Sequence, residues 1–316
     1  MKVTDHFDGK GTKISFELLP PLRGSSIDSV YSTIDRLKEF NPSCINITYH
    51  REEAVSSRQA DGAVIKKVQR KRPGTVGIAA AIQHKYGIDV VPHIICGGFS
   101  RQETEDALID LDFLGIHNLL VLRGDGVKGT GAFRPHGDGH AYAVDLVRQI
   151  MDMNRGIYLE PFYDNPSPTN FSVGVAGYPE KHYEAPSMER DLHYLRMKVE
   201  AGAEYIVTQM FFDNSVFFDF VSKCRETGIK VPVIPGIKPV AIKKHLEILP
   251  RIFGVNIPGE LAKEITACKT DNDVYRLGIE WAARQSAELK KSGVPAIHYY
   301  TMSRPDNIIG IVKRVF

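Results

Sequence analysis

The sequence predicts an α/β protein folded as a (β/α)8 TIM barrel, with residues 1–316 forming a single domain. Eight short apolar or β-branched runs recur along the chain, and each is followed by a loop and a segment with a helical pattern. Near-continuous apolar runs are typical of parallel strands that are buried on both faces. A doubly wound sheet is the main alternative, but the first run ends in ELLPPLRG and carries no G-x-G-x-x-G fingerprint. The alternation therefore favours a barrel.

The predicted strands follow one another at intervals that leave room for one helix each. They are, in order, KISFELLP from Lys13, CINITY from Cys44, DVVPHIIC from Asp89, NLLVLRG from Asn118, SVGVAGYP from Ser172, YIVTQMF from Tyr205, VPVIPGI from Val231 and AIHYYTM from Ala296. Two longer connections, residues 126–140 and 155–172, are rich in glycine and proline and predict no regular element.

Apolar residues at helical spacing predict the connecting helices. One stripe comprises Ile27, Val30, Ile34 and Leu37, and another comprises Met188, Leu192, Leu195 and Val199. Ser100 and Glu103 have the spacing of a capping box and predict a helix start. The segment from Asp271 to Lys291 is helical in pattern and ends before Gly293.

Composition excludes several classes of protein. Hydrophobic residues make up 43% and charged residues 25%, which is ordinary for a globular protein, and the formal net charge of +2 gives no reason to expect a nucleic-acid partner. No apolar run is long enough to cross a membrane, and the polar start MKVTDHFDGKGTK predicts a cytoplasmic protein. The four cysteines are far apart and the histidines lack ligand spacing, so no metal site is predicted.

Polar residues stand at the ends of most predicted strands, where a barrel of this class carries its site. Glu17 lies between Phe16 and Leu18, and these apolar neighbours predict a carboxyl group with a raised pKa, suited to a general acid. The alternative is a structural glutamate paired with Arg123 or Arg304. Arg123 and Asp125 flank a glycine, which indicates either part of the site or an ion pair at a loop corner.

The ordered strand ends resemble those of methylenetetrahydrofolate reductases. The resemblance rests on SFELLPP, INITYHRE, VPHIIC, LVLRGD, GYPEKH, VTQMFFD, PGIKPV and HYYTMSR, which run from about Ile14 to the C-terminus. It implies a barrel that binds FAD at the strand ends. The resemblance is to the catalytic barrel of the family only. It also implies reduction of 5,10-methylenetetrahydrofolate to 5-methyltetrahydrofolate, with hydride passing from NADH or NADPH to the flavin and then to folate.

The resemblance assigns roles to individual residues. Glu17 would protonate the folate nitrogen, and Asp125 would stabilise positive charge on the substrate. The cofactor-binding residues would be Thr48, Tyr49, His93, Arg123, Gly124, Asp125, Tyr142, Ala143, Tyr178, His182, Asp191, Tyr194 and Lys198. The substrate-binding residues would be Gln209, Phe217, Leu249 and Arg304.

The chain departs from the family pattern in places. Tyr194, Phe217 and Leu249 each replace a residue type found in some members. The sequence does not separate NADH from NADPH, and it leaves open the oligomeric state, although the family commonly forms homo-oligomers. Two alternatives stay open: another FAD-binding barrel oxidoreductase, similar to proline dehydrogenase, and a non-catalytic pterin-binding barrel.

Overall fold

Eight parallel strands form a closed barrel in the computed structural model, which confirms the predicted fold class. The structure describes residues 1–7, 9–49, 53–58, 64–69, 71–126, 133–161, 164–302 and 304–316, with the backbone alone at 53–58 and 66–69. The barrel strands are β1 (Lys13–Leu18), β2 (Cys44–Ile47), β5 (Val90–Ile95), β6 (Asn118–Leu122), β7 (Ser172–Gly177), β8 (Tyr205–Met210), β9 (Val233–Ile237) and β10 (Ala296–Tyr300). Around the barrel their order is β1-β10-β9-β8-β7-β6-β5-β2.

Helices surround the barrel and follow the predicted stripes. They are α1 (Asp28–Leu37), α2 (Thr75–Tyr86), α3 (Arg101–Phe113), α4 (Ala143–Met153), α5 (Met188–Glu200), α6 (Asn214–Glu226), α7 (His245–Phe253), α8 (Gly259–Ala267), α9 (Asp271–Lys291) and α10 (Pro305–Val315), with 3₁₀ turns at Val3–His6 and Lys38–Phe40. The capping box at Ser100 and Glu103 forms as predicted, and α9 has the predicted bounds.

A β-hairpin between β2 and α2 was not predicted. Its strands β3 (Glu53–Arg58) and β4 (Val64–Gln69) pair in antiparallel fashion and form a sheet separate from the barrel. Their sequences, EAVSSR and VIKKVQ, contain no more than two consecutive apolar residues. They therefore lack the continuous apolar run that identifies a strand buried on both faces. The described parts of the two long connections contain no helix or strand before β7 begins at Ser172, as predicted.

The strand residues divide between two sides of the barrel wall because side chains alternate along a strand. Phe16 and Leu18 of β1 point outward into the main core, which they share with Ile34 of α1. The lower lumen is filled by a second apolar cluster that includes Tyr205 and Val91. Polar side chains occupy the lumen above this cluster, towards the carboxyl ends of the strands, and this places the candidate site. In the part of the chain that the structure describes, no helix is both long and apolar enough to span a bilayer.

Candidate active site

Strand register brings Glu17 to the mouth of the barrel. Ser15 pairs with His298 and Glu17 pairs with Tyr300 across the β1–β10 ladder. Residues at one level of a parallel ladder share a face, so these four side chains all point into the lumen. The hydroxyl of Thr301 donates to the backbone oxygen of Glu17 at 2.6 Å and holds the end of β1 against β10.

The carboxylate of Glu17 is surrounded by hydrogen-bond donors. The hydroxyl of Thr48, just after β2, donates to Oε1 at 3.0 Å. The Nε2 atom of His298 lies 3.5 Å from Oε2, and the Nε2 atom of His93 lies 3.6 Å from the same oxygen. The side chain of Glu17 is only 12% exposed, so these contacts act with little screening by water.

The predicted rise in the pKa of Glu17 is wrong. Burial raises the pKa, but the hydrogen bond with His298, the charges of His93 and His298 and the hydrogen bond from Thr48 together lower it to about 2. The expectation failed because Phe16 and Leu18, the neighbours in sequence, point away from the lumen. The predicted structural partners, Arg123 and Arg304, are likewise absent from this set of contacts.

His298 is a site residue that the sequence reasoning missed. Its Nδ1 atom lies 2.9 Å from the hydroxyl of Ser15, and its Nε2 atom faces Glu17, so a buried row of polar groups runs along the lumen. The signal was present in AIHYY, where alternate positions share a face. His298 and Tyr300 point inward, whereas Tyr299 is fully buried on the outer side, with its ring 6.2 Å from that of Phe16.

Arg123 and Asp125 follow β6, and they do not pair with each other. The guanidinium of Arg123 contacts the carboxylate of Glu184 at 2.6 Å and lies over the ring of Phe133 at 5.0 Å. Asp125 is exposed and has no hydrogen-bond or ion-pair partner within the described residues. The alternative of a corner ion pair is therefore wrong, and the carboxylate of Asp125 stands open to the mouth.

Gly124 is required by two features of this turn. Its φ is +87°, a conformation that side chains disfavour. A Cβ atom there would also lie 3.3 Å from the Cδ1 atom of Ile95 on the neighbouring strand β5. The absence of a side chain lets the end of β6 turn close to β5.

The end of β7 and the start of α5 form a second polar group. The ring of Tyr178 meets the ring of His182 edge-on at 4.7 Å, and the backbone nitrogen of His182 donates to Asp191 at 2.9 Å. Lys198, two turns along α5, donates to the backbone oxygen of Ala176 at 2.7 Å. Burial lowers the pKa of Lys198 to about 8, although Asp191 acts in the opposite direction.

The other predicted cofactor residues are divided between buried and exposed positions. Tyr49 and His93 line a cavity of about 200 Å³ together with Phe99. Tyr142 is 62% exposed and, with Ala143, begins α4. Tyr194 is exposed, and its hydroxyl accepts a hydrogen bond from Arg190 at 3.0 Å. The structure therefore gathers part of the predicted set and leaves Tyr142 and Tyr194 on the surface.

The four predicted substrate residues occupy different environments. Gln209 lies where the β8–β9 register shifts, and its Oε1 accepts from the backbone of Met210 at 2.9 Å. Arg304 is exposed at the start of α10. Phe217 is buried in the main core, with its ring 5.3 Å from that of Phe211. Leu249 is buried in a separate apolar cluster.

This third cluster adjoins the mouth. It contains Leu249 and Met210, and the ring of Tyr300 packs against it. Leu249 therefore belongs to the cluster against which Tyr300 packs, whereas Phe217 belongs to the main core. The roles of both residues stay predictions.

Comparison with known proteins gives one consistent result. The sequence model described as "Methylenetetrahydrofolate reductase" matches residues 2–315. The chain is 31% identical over 315 residues to methylenetetrahydrofolate reductase (NADH) 1 of Arabidopsis thaliana, covering 96% of this chain and 48% of the relative. It is 29% identical over 294 residues to the 5,10-methylenetetrahydrofolate reductase of Pectobacterium carotovorum, covering 93% of this chain and 86% of the relative.

The relatives differ in length and in the dinucleotide they are named for. A probable methylenetetrahydrofolate reductase (NADPH) of Caenorhabditis elegans is 31% identical over 309 residues, covering 97% of this chain and 42% of the relative. The chain thus spans about half the length of the plant and nematode relatives.

A solved structure shares the fold. It is an uncharacterized protein from Clostridium thermocellum that binds two copies of 5-methyl-5,6,7,8-tetrahydrofolic acid, with a TM-score of 0.56 and 13% identity, covering 99% of this chain and 97% of that one. At this level of identity, the likeness shows only that the two proteins share a fold. Because one family model spans nearly the whole sequence, the chain belongs to the methylenetetrahydrofolate reductase family.

Proposed function

We propose that this protein reduces 5,10-methylenetetrahydrofolate to 5-methyltetrahydrofolate with NADH or NADPH as the electron donor and FAD as the cofactor. Membership of the family supports the reaction. The observation that carries the proposal is the carboxylate of Glu17, held at the barrel mouth between Thr48, His93 and His298. The proposal includes one catalytic domain over residues 1–316 and a cytoplasmic location.

The residues after β6 and β7 fit a flavin dinucleotide. Arg123 and Lys198 supply positive charge for a pyrophosphate, and Asp191 supplies an acceptor for ribose hydroxyls. Gly124 has no side chain to obstruct a flat ring near the strand end. When bound, FAD supplies a carrier that accepts hydride from a nicotinamide and gives it to folate. We assign these four residues, with Tyr178 and His182 beside them, to holding the cofactor.

Glu17 delivers a proton to the substrate nitrogen in this scheme. Because its pKa is about 2, the resting group is a carboxylate, and the proton must be stored nearby. The imidazole of His298 is suited to store it, since its Nε2 atom faces Oε2 of Glu17 and its Nδ1 atom is bonded to Ser15. When both ring nitrogens of His298 carry hydrogen, the proton on Nε2 moves to Oε2 of Glu17 and then to the substrate nitrogen, which leaves a neutral imidazole with its hydrogen on Nδ1. The bond from that substrate nitrogen to the methylene carbon then breaks, and its electron pair stays on the nitrogen.

Asp125 stabilises the positive charge that develops on the substrate. Its carboxylate is exposed at the mouth and its charge is not neutralised by Arg123, whose guanidinium contacts Glu184 instead. A carboxylate without a partner interacts more strongly with a nearby cation than one that is already paired.

The experiment follows the absorbance of the purified protein without oxygen. A flavoprotein of this function is yellow, is bleached by NADH or NADPH, and recovers its colour when 5,10-methylenetetrahydrofolate is added. A colourless protein without flavin would favour a pterin-binding barrel. Recovery with quinones but not with the folate would favour an oxidase similar to proline dehydrogenase.

Two variants test the assigned roles in the separate half-reactions. Glu17→Gln is expected to be bleached by NAD(P)H at the normal rate but to lose at least about 100-fold in reoxidation by folate. Asp125→Asn is expected to slow the folate step by about tenfold and the nicotinamide step less. Equal losses in both steps for Glu17→Gln, or faster folate reduction by Asp125→Asn, would contradict these roles. Glu247→Gln, at an exposed position on α7, is the matched control.

A further inference from the structure

Lys238 follows directly after β9 and lies at the level of Glu17. The β10–β9 register pairs His298 with Gly236 and Tyr299 with Ile237, so the next step places Lys238 beside Tyr300. Tyr300 is in turn the register partner of Glu17. Because residues at one level share a face in parallel strands, Lys238 faces the mouth of the barrel with Glu17.

The ring of Tyr300 keeps Lys238 out of the lower lumen. The hydroxyl of Tyr300 donates to the backbone oxygen of Thr208 on β8 at 2.6 Å, so the ring crosses in front of β9. It does so at Gly236, where a Cβ atom would lie 2.7 Å from the ring. Lys238 stands two residues further along the strand and therefore extends above the ring, towards the open end.

The ammonium group of Lys238 has no hydrogen bond or ion pair within the described residues. Two other cations of the candidate site do have protein partners, because Arg123 contacts Glu184 and Lys198 donates to the backbone oxygen of Ala176. Burial lowers the pKa of Lys238, while the charge of Glu17 raises it. A largely buried cation without a direct partner is costly, and an anion from a ligand would offset this cost.

Among the described residues, His245 at the start of α7 is a second titratable group whose pKa is affected by Lys238. Burial and then the charge of Lys238 lower the pKa of His245 to about 4, so this imidazole is neutral at pH 7. Its Nδ1 atom accepts from the backbone nitrogen of Ala241 at 3.2 Å. His245 therefore adds no second positive charge beside Lys238 and no anion to neutralise it.

We propose that Lys238 is an anion-binding residue of the substrate site, where its ammonium pairs with a carboxylate or phosphate oxygen of the ligand that Glu17 contacts. The proposal rests on the proposed function. The strands β1 and β9 are separated by β10, so the anion would lie roughly 10 Å across the mouth from the group that Glu17 protonates. Folate offers glutamate carboxylates beyond its benzoyl ring, and NAD(P)H offers phosphates beyond its ribose.

The test compares Lys238→Met with Lys238→Arg in the flavin-loaded protein. Lys244→Met is the matched control, because Lys244 is exposed just before α7. Dissociation constants for 5-methyltetrahydrofolate and for NAD⁺ and NADP⁺ are measured by calorimetry, which needs no turnover. Lys238→Met is expected to weaken one of these ligands by about tenfold, Lys238→Arg by less than threefold, and Lys244→Met not at all.

Truncated ligands then distinguish the two sources of the anion. If the folate tail is the partner, the effect of Lys238→Met disappears with the amide of 5-methyltetrahydropteroate, which carries neither glutamate nor a free carboxylate. If a dinucleotide phosphate is the partner, the effect on reduction of the flavin disappears with N-benzyl-dihydronicotinamide, which lacks phosphates.

Unchanged dissociation constants for all these ligands would overturn the proposal. A change confined to the pH profile of folate reduction would also overturn it, because Lys238 would then act on Glu17 and not on the ligand. Failure of the unaltered protein to oxidise NAD(P)H with folate is a separate result, which would refute the proposed function and leave the calorimetric test intact.

Discussion

Replacing Glu17 by Gln tests the environment of the candidate acid through the stability of the fold. The contacts of Glu17 lower the pKa of its carboxyl group to about 2, against 4.5 for an ordinary glutamate. Glutamine has nearly the same shape as the protonated carboxyl group, so the substitution removes the ionised form and little else. A variant that cannot ionise therefore loses whatever free energy the carboxylate contributes.

The size of the loss follows from the two pKa values. The difference of about 2.5 units corresponds to about 3 kcal/mol at pH 7, at 1.36 kcal/mol per unit. Because the pKa of the folded state is the lower one, this contribution is complete above the unfolded value of 4.5 and is lost as the pH falls towards 2. At about pH 3.5 the same relation gives a remaining contribution of about 2 kcal/mol to the free energy of unfolding.

The assay is urea unfolding of the flavin-free protein, followed by circular dichroism at several pH values between about 3 and 7. The free energy of unfolding of Glu17→Gln is subtracted from that of the unaltered protein at each pH. The difference should shrink by about 1 kcal/mol or more between pH 7 and pH 3.5. A difference that stays constant, or that grows on acidification, would refute the account, and Glu247→Gln should show no difference at any pH.

Three further predictions concern neighbouring groups. His298→Ala should slow folate reduction by at least about tenfold and shift the pH profile of that step. Reduction of the flavin by NAD(P)H should stay within about twofold of the normal rate. An unshifted pH profile would contradict the role of His298 in holding the proton that Glu17 delivers. FAD affinity should fall by about tenfold from pH 7 to pH 9, because Lys198, with a pKa of about 8, loses its charge, and Lys198→Arg should abolish this dependence in a flavin-fluorescence titration. Gly236→Ala should destabilise the protein by about 2–4 kcal/mol in thermal or urea unfolding, since its Cβ would lie 2.3 Å from the backbone oxygen of Thr208. Gly77→Ala, with open space on α2, should stabilise it by about 1 kcal/mol, and equal effects at the two glycines would contradict the steric argument.

The barrel could be predicted from sequence because its strands and helices are encoded locally. Strand β6 is apolar from Leu119 to Leu122, as burial on both faces requires, and the capping box at Ser100 lies beside the helix that it starts. The hairpin of β3 and β4 was missed because a ribbon outside the barrel needs no continuous apolar run. The local pattern of apolar residues thus predicts the strands that are buried in the barrel, but it does not identify the hairpin strands outside it.

The fold class, the family resemblance and the position of Glu17 at a strand end could all be predicted from the order of the amino acids. The surroundings of that carboxylate could not, because they form only when the strands assemble into the barrel. Thr48, His93 and His298 come from three other strand regions, and β-sheet register, not sequence distance, brings them to Glu17. The apolar neighbours of Glu17 in the chain point to the opposite face of the strand. The sign of the pKa shift therefore depends on contacts between strands, which no local pattern contains.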